Sequence, residues 1–590
     1  MGTDRRIPPL RAGRRAAGAA LLGWLDDERA PRLCRVSGSP GSGRTHLLAW
    51  LVTGCTTPET PPAQRLNAVV PADGLSLRGL VWQLARQLEV PARTPDDLIA
   101  ALAADPRRTV ICVPELDRAV APIRIVYEFL NPLLELEHVR LLVEASTDSL
   151  EAGAFTVVPT PAVLELDDPQ WTDRDRFAQW CAQQDADPDA YPSPGRALGV
   201  EPTAPRPFAE ILATAPPGAD GTPDLATAGE PLLTELWTAA AHERDPGPLT
   251  ADPLLAVLAH PVAVTAGLET ADGTLATAWD AAGPGLVETP DAAQRAHLLR
   301  TRLLGVDDAA AARLGSAPSA WSARWAHWEP GTITVSTAGA GPHRDQWLLA
   351  DGTGSVRTLA PLTGATLGRI PVPGPKPLRG LAATAGGSLV LLDAWGGIEP
   401  VAPAEPAPGL DPYALDAVLA RLRTALGGEA TALAGIPGLP DAAPALGDTS
   451  GAVHWYERGD VHSRPLHAGP VTALAGTALG TGPADPGPAL LASGGFDGAV
   501  RLWGPDGDPM PDPADRRPCA VAAVALGTGP AGLVVAAAWA DGLIRIRRPE
   551  QPGGPLDLRL GSPVRTLALV GDTLLAGLDD GLVALELRRP

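Results

Sequence analysis

The stretch Leu491-Ala-Ser-Gly-Gly-Phe-Asp-Gly-Ala-Val-Arg-Leu-Trp503 shows how the second half of this chain is built. Two short apolar runs flank a turn at Gly498, a pattern typical of two antiparallel strands joined by a tight turn. Similar units recur, with their glycines at Gly354, Gly397, Gly451, Gly498, Gly542 and Gly581. Successive glycines are 43, 54, 47, 44 and 39 residues apart. Because a four-stranded blade takes about 40–45 residues, the repeat predicts an all-β propeller.

The predicted propeller covers residues 319–590, where six repeats are visible. A seventh blade stays open, either as a divergent copy or as one completed by strands from outside the repeat. The most complete repeat has four residues with the spacing of the hydrogen-bonded tetrad that locks a WD-repeat blade. They are His467, Ser493, Asp497 and Trp503. We interpret this tetrad as architecture and not as a catalytic site.

The other histidines are scattered, and neither an HExxH nor a GxSxG motif occurs. The sequence therefore does not support a hydrolase triad.

The first 180 or so residues alternate short apolar runs with amphipathic stretches, which predicts an α/β domain with a parallel sheet. The predicted strands are Leu33–Ser37, Leu66–Val70, Thr109–Val113, Val139–Ala145 and Ala162–Leu166. The predicted helices between them are Thr45–Val52, Leu77–Leu88, Pro95–Ala103, Ile123–Leu136 and Asp173–Gln183.

The first strand runs into Gly38-Ser-Pro-Gly-Ser-Gly-Arg-Thr45 and then into a helix, which is the strand–loop–helix setting of a GxxxxGK[ST] phosphate-binding loop. Glycines let the backbone N–H groups face a phosphate, and the helix N-terminus adds a positive dipole. The candidate nucleotide-binding residues are Gly38, Ser39, Pro40, Gly41, Ser42, Gly43, Arg44, Thr45 and His46. Arg44 replaces the usual lysine, and its guanidinium is bulkier and planar. A loop without any ligand stays open as the alternative.

A second NTPase signature should be an apolar strand ending in acids that position Mg²⁺ and water. The segment Thr109–Arg118 has the strand, but Pro114 stands where a metal-organising acid is expected. Glu115 and Asp117 are the candidate catalytic substitutes. The alternative, that both are surface acids after a buried strand, is about as well supported.

Helical patterns return between residues 230 and 318, after a Pro/Ala/Gly-rich linker over residues 185–229. The predicted helices include Pro231–Ala241, Asp252–Ala259 and Asp291–Leu304. The segment Asp272–Asp280 imitates a propeller strand ending in Trp-Asp, but its neighbours have helical periodicity, so we predict a helix there. Residues 1–18 are predicted as a flexible N-terminal tail and residues 19–184 as the α/β domain.

The charge balance limits the kinds of partner. The 590 residues include 47 Lys and Arg against 68 Asp and Glu, giving a net charge of −21. Such a surface repels nucleic acid and anionic membranes. The 5 cysteines lack metal-ligand spacing, and neither a signal peptide nor a spanning helix is visible, so we expect a cytoplasmic protein.

Together these segments resemble the NACHT/STAND-type P-loop ATPases of actinobacteria that carry C-terminal WD repeats. The resemblance covers about residues 19–184 and, through the repeat, residues 319–590. The segments that carry it are Leu22-Gly-Trp-Leu25, Gly74–Leu84, Thr94-Pro-Asp-Asp-Leu98, Val139–Val143 and Ala162–Asp168, in addition to the loop.

The resemblance implies that Thr45 would hold Mg²⁺, that the residue at Arg44 would contact phosphates, and that Asp117 matches the second strand-end acid. Arg118 falls where a catalytic Glu is usual, and Ser146 and Thr147 fall near the position of a nucleotide-sensing arginine. With Arg44 and Pro114, these make four departures at the chemistry, which indicate a pseudo-NTPase.

We therefore expect a nucleotide-binding or pseudo-NTPase scaffold or sensor, whose cofactor would be ATP or GTP with Mg²⁺ and whose propeller binds a protein. Hydrolysis is expected to be lost. One alternative is an active ATPase switch in which Glu115, Asp117 or Glu144 replaces the lost acids. The other is a purely structural propeller adaptor with an empty loop. The oligomeric state stays open.

Overall fold

The computed structural model divides into two units, Met1–Val287 and Glu288–Pro590. It describes residues 10–57, 59–146, 154–156, 160–183, 206–219, 221–315, 319–328, 333–403, 412–435, 444–457, 459–480, 487–504, 512–529, 532–551 and 553–588. Thr147 and residues 185–205 and 220 of the predicted linker lie outside these residues. No helix of the described part is long and apolar enough to cross a membrane.

The first unit is built on a parallel sheet. Its strands are β1 (Leu33–Ser37), β2 (Ala68–Val69), β3 (Thr109–Val113), β4 (Val139–Glu144) and β5 (Ala162–Glu165). Their order is β2-β3-β4-β1-β5, and every pair is parallel. Every residue of β3 and β4 is buried, as expected for central strands covered on both faces. The predicted α/β sheet is confirmed.

Helices precede, connect and follow these strands. They are α1 (Arg15–Asp26), α2 (Arg44–Cys55), α3 (Leu77–Leu88), α4 (Pro95–Ala103), α5 (Pro122–Ile125), α6 (Asn131–Leu133), α7 (Arg174–Gln183), α8 (Phe208–Leu212), α9 (Glu230–Glu243), α10 (Gly247–Thr250), α11 (Pro253–Leu258), α12 (Pro261–Leu268) and α13 (Thr274–Glu288). A π-helical turn, Val126–Leu130, joins α5 to α6. Local sequence explains where α4 begins, because Thr94 and Asp97 form a reciprocal capping box.

Two segments of the first unit had been difficult to assign from sequence. The strand-like Asp272–Asp280 segment is helical as predicted, since α13 begins at Thr274. Trp279 of this helix is buried and donates its indole N–H to Thr265 Oγ1 at 3.0 Å. The predicted tail over residues 1–18 overlaps α1, and Arg14 just before that helix is only 4% exposed.

The second unit begins with α14 (Ala292–Leu303) and α15 (Asp308–Arg313), and its described residues include one further α-helix, α16 (Pro412–Ala425). Its strands are β6 (Trp321–His327), β7 (Ile333–Ala338), β8 (Trp347–Asp351), β9 (Val356–Leu359), β10 (Thr366–Ile370), β11 (Leu378–Ala383), β12 (Leu389–Asp393), β13 (Ile398–Val401), β14 (Ala430–Ala434), β15 (Ala445–Asp448), β16 (Ala452–Glu457), β17 (Asp460–Pro465), β18 (Val471–Ala478), β19 (Ala489–Gly495), β20 (Ala499–Trp503), β21 (Asp515–Arg516), β22 (Val521–Gly529), β23 (Gly532–Trp539), β24 (Leu543–Arg547), β25 (Leu556–Arg559), β26 (Val564–Val570), β27 (Thr573–Leu578) and β28 (Gly581–Leu587).

These strands form six antiparallel sheets in the described part of the chain, which are the blades of a β-propeller. Blades 1 to 5 are β7–β10, β11–β13, β14–β17, β18–β21 and β22–β25, in chain order. Blade 6 consists of β26–β28 together with β6, which pairs with β28 from the other end of the repeat region. Ser336 of β7 and Thr566 of β26 join blades 1 and 6, with 2.8 Å between their hydroxyl oxygens. The ring therefore closes with six blades, and the six visible repeats account for all of them.

The repeated glycines lie at the turns between the second and third strands of each blade. Gly498 has φ = 73°, and a Cβ built there would lie 1.8 Å from the Arg517 carbonyl oxygen. Gly451 has φ = 89°, and its Cβ would lie 2.1 Å from the carbonyl oxygen of His467. A left-handed turn packed against neighbouring backbone accepts only glycine, which explains this part of the repeat.

Blade 2 differs from the predicted four-stranded pattern, because its described residues form three strands. Helix α16 follows β13 and packs its Val418, Leu419 and Leu422 into the core shared by blades 2 and 3. The edge of β13 is protected in two ways, since Pro400 has no N–H to offer and Arg423 donates to the carbonyl of Ile398. The insertion also explains why Gly397 and Gly451 are further apart than the other repeat glycines.

Candidate functional site

The glycine-rich loop of the first unit lies between β1 and α2, where the ends of β3, β4 and β5 also meet. Ligands of parallel α/β sheets bind at this carboxyl edge. Gly38 has φ = 148°, and a Cβ there would lie 2.6 Å from Ser42 Oγ. Gly43 also has a left-handed φ of 91° and is the residue before α2. The loop has the strand–loop–helix placement predicted from its sequence.

Arg44, the first residue of α2, is paired with acids inside the unit. Its Nη1 lies 3.3 Å from Asp117 Oδ2, and its Nε lies 3.8 Å from Glu144 Oε1. The side chain is 12% exposed. Asp117 also accepts the Ser146 N–H at 2.9 Å, so its carboxylate is held between the loop cation and the end of β4.

Glu144, the last residue of β4, is the most enclosed acid at this edge. Its Oε1 accepts the Thr45 hydroxyl at 2.8 Å, and its Oε2 accepts the Glu115 N–H at 3.3 Å. Burial raises the pKa of Glu144, although the hydrogen bond from Thr45 and the charge of Arg44 oppose that shift. The two partners therefore hold a carboxylate in a place where an isolated one would be costly.

A further acid binds the loop backbone itself. Asp167, two residues after β5, accepts the Ser39 N–H at 2.7 Å and the Ser39 hydroxyl at 3.1 Å. On the other side of the loop, Arg14 donates to the Ser42 carbonyl at 2.7 Å and to the Leu166 carbonyl at 2.7 Å. The loop is thus fixed by one side chain from before β1 and one from after β5.

The remaining predicted residues are spread around this cluster. Pro114 is buried after β3, and Glu115 follows it with a left-handed φ of 54°. The Glu115 carboxylate pairs with Arg118 at 3.1 Å. Pro40, Thr45 and His46 are exposed. Among the described residues, no three His, Cys, Asp or Glu side chains are grouped so as to hold a metal ion.

These contacts test whether the edge suits a magnesium nucleotide. The loop cation already neutralises two carboxylates, and Asp167 occupies one of the loop N–H groups that would face a phosphate. A triphosphate placed here would meet three carboxylates and would have to displace at least one of them. As they stand, these contacts occupy groups that a magnesium nucleotide would need.

In the propeller, three of the four predicted tetrad residues are joined by hydrogen bonds. His467 Nδ1 lies 3.0 Å from Asp497 Oδ1, and His467 Nε2 lies 2.8 Å from Ser493 Oγ. Trp503 is buried in the core between blades 3 and 4, but its Nε1 has no hydrogen-bond partner among the residues that the structure describes. Burial lowers the pKa of His467, against the raising effect of Asp497.

The inner strands of all six blades surround a channel of about 770 Å³, lined mainly by Gly, Ala, Ser and Thr. Arg379 and Arg565, each the second residue of an inner strand, lie at one end of it. The turns between second and third strands lie at the same end, and two of them expose Trp395 (69%) and Phe496 (66%). We call this end of the propeller, with Arg379, Trp395 and Phe496, the aromatic end.

No protein-family model and no curated protein sequence matches the chain. Among solved structures, it is similar to U3-55K (16% identity, 45% of this chain, 98% of that chain, TM-score 0.27). It is also similar to the RRP9 WD40 repeats (16% identity, 45% of this chain, 97% of that chain, TM-score 0.27). A third similar structure is the Myceliophteria thermophila Cps50 (Swd1) β-propeller domain (13% identity, 45% of this chain, 99% of that chain, TM-score 0.32). At these TM-scores nothing is inferred from them about this chain, whose propeller is established by its own strand pairing.

Sequence reasoning missed Arg14 and Asp167 at the loop. Asp167 could have been found, because it follows the last predicted strand and the ends of parallel strands share one edge. Arg14 gave no such signal, since it lies in a segment predicted as a tail. The resemblance of the first unit to NACHT/STAND ATPases stays a prediction.

Proposed function

We propose that this protein is a scaffold that binds a protein partner through the aromatic end of its propeller and that its N-terminal unit does not hydrolyse nucleotides. The propeller carries the first half of the proposal. Rigid blades present their connecting turns as a docking surface, and exposed Trp, Phe and Arg are side chains that interfaces favour. The cluster of Arg44 with Asp117 and Glu144 supports the second half.

The docking proposal has a matched control in the same propeller. Leu362, in the turn between the third and fourth strands of blade 1, is 64% exposed at the opposite end. Affinity capture with the full-length chain identifies the partner, and the variants Trp395→Ala, Phe496→Ala and Leu362→Ala are then compared. We expect at least about a tenfold loss of affinity for one or both aromatic variants. Unchanged binding by both aromatic variants, or an equal loss for Leu362→Ala, would contradict the proposal.

The proposal that hydrolysis is lost rests on the loop. A phosphoryl-transfer site uses its cation to stabilise charge that develops on the transferring group. The ion pairs of Arg44 commit that cation to Asp117 and Glu144. Pro114 offers no oxygen where a metal-organising acid is expected. These features together support a pseudo-NTPase.

One observation favours an active ATPase as a second candidate. The Glu144 carboxylate accepts the hydroxyl of Thr45, the residue that the resemblance assigns to Mg²⁺, so Glu144 could act in place of the missing acid. Thermal unfolding with ATP, GTP or ADP, each with and without Mg²⁺, tests whether a nucleotide binds, because a ligand that binds only the folded state raises the midpoint. A Mg²⁺-dependent rise that Thr45→Ala abolishes shows that the loop binds the nucleotide, and release of phosphate then separates an active ATPase from a pseudo-NTPase. No rise with any nucleotide supports the scaffold with an empty loop.

A further inference from the structure

Blade 3 contains a chain of three polar side chains on three successive strands. Asp448 ends β15, His454 lies on β16, and Ser463 lies directly opposite His454 on β17. Ser463 Oγ lies 2.7 Å from His454 Nδ1, and His454 Nε2 lies 3.0 Å from Asp448 Oδ2. This is the connectivity of a nucleophile, a base and an orienting acid. No sequence motif links the three positions.

Asp448 is fixed as the orienting member of this chain. It is fully buried and accepts the N–H groups of Gly427, Ser450 and Ala452 at 2.9, 2.9 and 3.1 Å. Burial alone would raise the pKa of Asp448, but the hydrogen bonds from Ser450, His454 and these backbone groups lower it. An ionised Asp448 holds the His454 N–H on Nε2, which leaves Nδ1 as the acceptor facing Ser463.

Ser463 lies on the outermost strand of its blade and is exposed. Its own N–H also points away from the sheet. Pro465, two residues further along β17, pairs with Ala452 but has no N–H, so it suits a position whose N–H would face outward. The direction of the N–H groups alternates along a strand with a period of two, and the next residue, Leu466, donates its N–H inward to the Gly451 carbonyl, so the N–H of Ser463 faces outward as well. A carbonyl approaching Oγ from solvent therefore finds a hydrogen-bond donor on the nucleophile's own backbone.

The hydrogen-bonded side chains of blade 4 give an internal comparison. His467 joins Ser493 and Asp497 by similar distances, but Ser493 is fully buried. That chain can lock the blade without meeting a solute. The blade 3 chain differs in that its base and acid are buried while its serine is an exposed residue.

We propose that Ser463 is a nucleophile for small, unhindered carboxylic esters, with His454 as its general base and Asp448 as a positioning residue. The Oγ–C bond forms while the ester C–O bond breaks, and the hydroxyl proton passes through His454 Nδ1 to the departing alkoxide. Water then attacks the acyl carbon, the Oγ–C bond breaks, and Ser463 regains a proton. The balance is ester plus water to acid plus alcohol.

The first test uses the full-length wild-type chain and a fluorophosphonate probe, followed by peptide mass spectrometry. The probe forms an Oγ–P bond, fluoride leaves, and the proton goes to His454. Ser450 is the matched control, because it is exposed and bonds to the same Asp448 through its Oγ at 2.6 Å. Assistance by a general base contributes about 100-fold or more, so Ser463 should react at least about 100-fold faster than Ser450. Equal rates, or an unmodified Ser463, would overturn the proposal.

The second test measures hydrolysis of 4-nitrophenyl acetate. Ser463→Ala removes the hydroxyl that bonds to the buried His454 Nδ1, so it should lower the unfolding midpoint by roughly 2–6 °C while removing the protein-dependent hydrolysis. His454→Gln should reduce the probe reaction of Ser463 to the rate of Ser450. If His454→Gln does not fold, the comparison of Ser463 with Ser450 in the wild-type chain decides. Hydrolysis retained in full by Ser463→Ala would overturn the proposal.

Discussion

Nη1 of Arg44 lies 3.3 Å from Oδ2 of Asp117, and both side chains are almost enclosed, with 12% and 11% of their surface exposed. Both residues were predicted to act on a nucleotide, Arg44 on phosphate and Asp117 on metal or water. In the folded chain they form an ion pair with each other. The pair makes the loop part of the stabilising framework of the first unit.

Replacing Arg44 should therefore destabilise the first unit. Arg44→Ala leaves Glu144 and Asp117 without their cation, and we expect a loss of about 2–3 kcal/mol in the free energy of unfolding, measured by urea denaturation. The control is Arg86→Ala, whose residue is exposed on α3 and should change stability by no more than about 0.5 kcal/mol. Equal effects would mean that the ion pair adds nothing to stability.

The turn glycine of blade 4 should resist substitution. Gly498→Ala would place a Cβ against the Arg517 carbonyl in a left-handed conformation, and we expect a loss of more than about 1 kcal/mol. Gly23→Ala in α1 is the control, since nothing lies within 4 Å of its Cβ position and alanine favours a helix by about 0.5–1 kcal/mol. The two substitutions should move the urea midpoint in opposite directions. The prediction fails if Gly498→Ala is neutral.

The hydrogen-bonded chain of blade 4 should contribute to stability. Asp497→Ala removes the partner of His467 and of the N–H groups of Ala468 and Ala499, at a cost of about 1–3 kcal/mol. Asp416→Ala on the exposed face of α16 is the control and should be nearly neutral. A loss for Asp497→Ala no larger than for this control would show that the chain does not lock the blade.

The same blade should become less stable in mild acid. Because burial lowers the pKa of His467, the unfolded chain takes up a proton below about pH 6.5 that the folded chain does not. The contribution of His467 to the free energy of unfolding is therefore fully present above that pH. It declines as the pH falls towards the lower pKa that His467 has in the folded chain. His467→Gln should reduce the difference between urea midpoints at pH 7.5 and 5.5, whereas the exposed His242→Gln should not. An unchanged difference in His467→Gln would contradict the assignment.

Local sequence patterns predicted most of the elements of the fold. The strand Thr109–Val113 and the helix Leu77–Leu88 were predicted with their observed bounds, because apolar periodicity and an N-cap such as Ser76 act within a few residues. The six turn glycines were found because each adopts or adjoins a conformation with little room for a side chain. Blade 2 was predicted less well, since α16 follows β13 where a fourth strand was expected, and the longer spacing from Gly397 to Gly451 does not by itself indicate a helix.

The candidate sites depend on pairings across the fold, which the sequence shows poorly. Asp167 reaches Ser39 only because β5 lies beside β1, and Ser463 reaches His454 only through the register of β16 and β17. Neither register is visible in the order of residues. Arg14 was placed in a tail because its side chain donates hydrogen bonds to Leu166 and Thr172, more than 100 residues away, and to Ser42.

Release of phosphate from ATP and GTP, with Mg²⁺ present, tests the central claim most directly. With Arg44 held by Asp117 and Glu144 and with Pro114 in place of an acid, we predict release at the background rate, and the same rate for Thr45→Ala. Turnover near or above about 1 s⁻¹, the lower end of the kinase range, that is abolished by Thr45→Ala would contradict the account and establish an active NTPase.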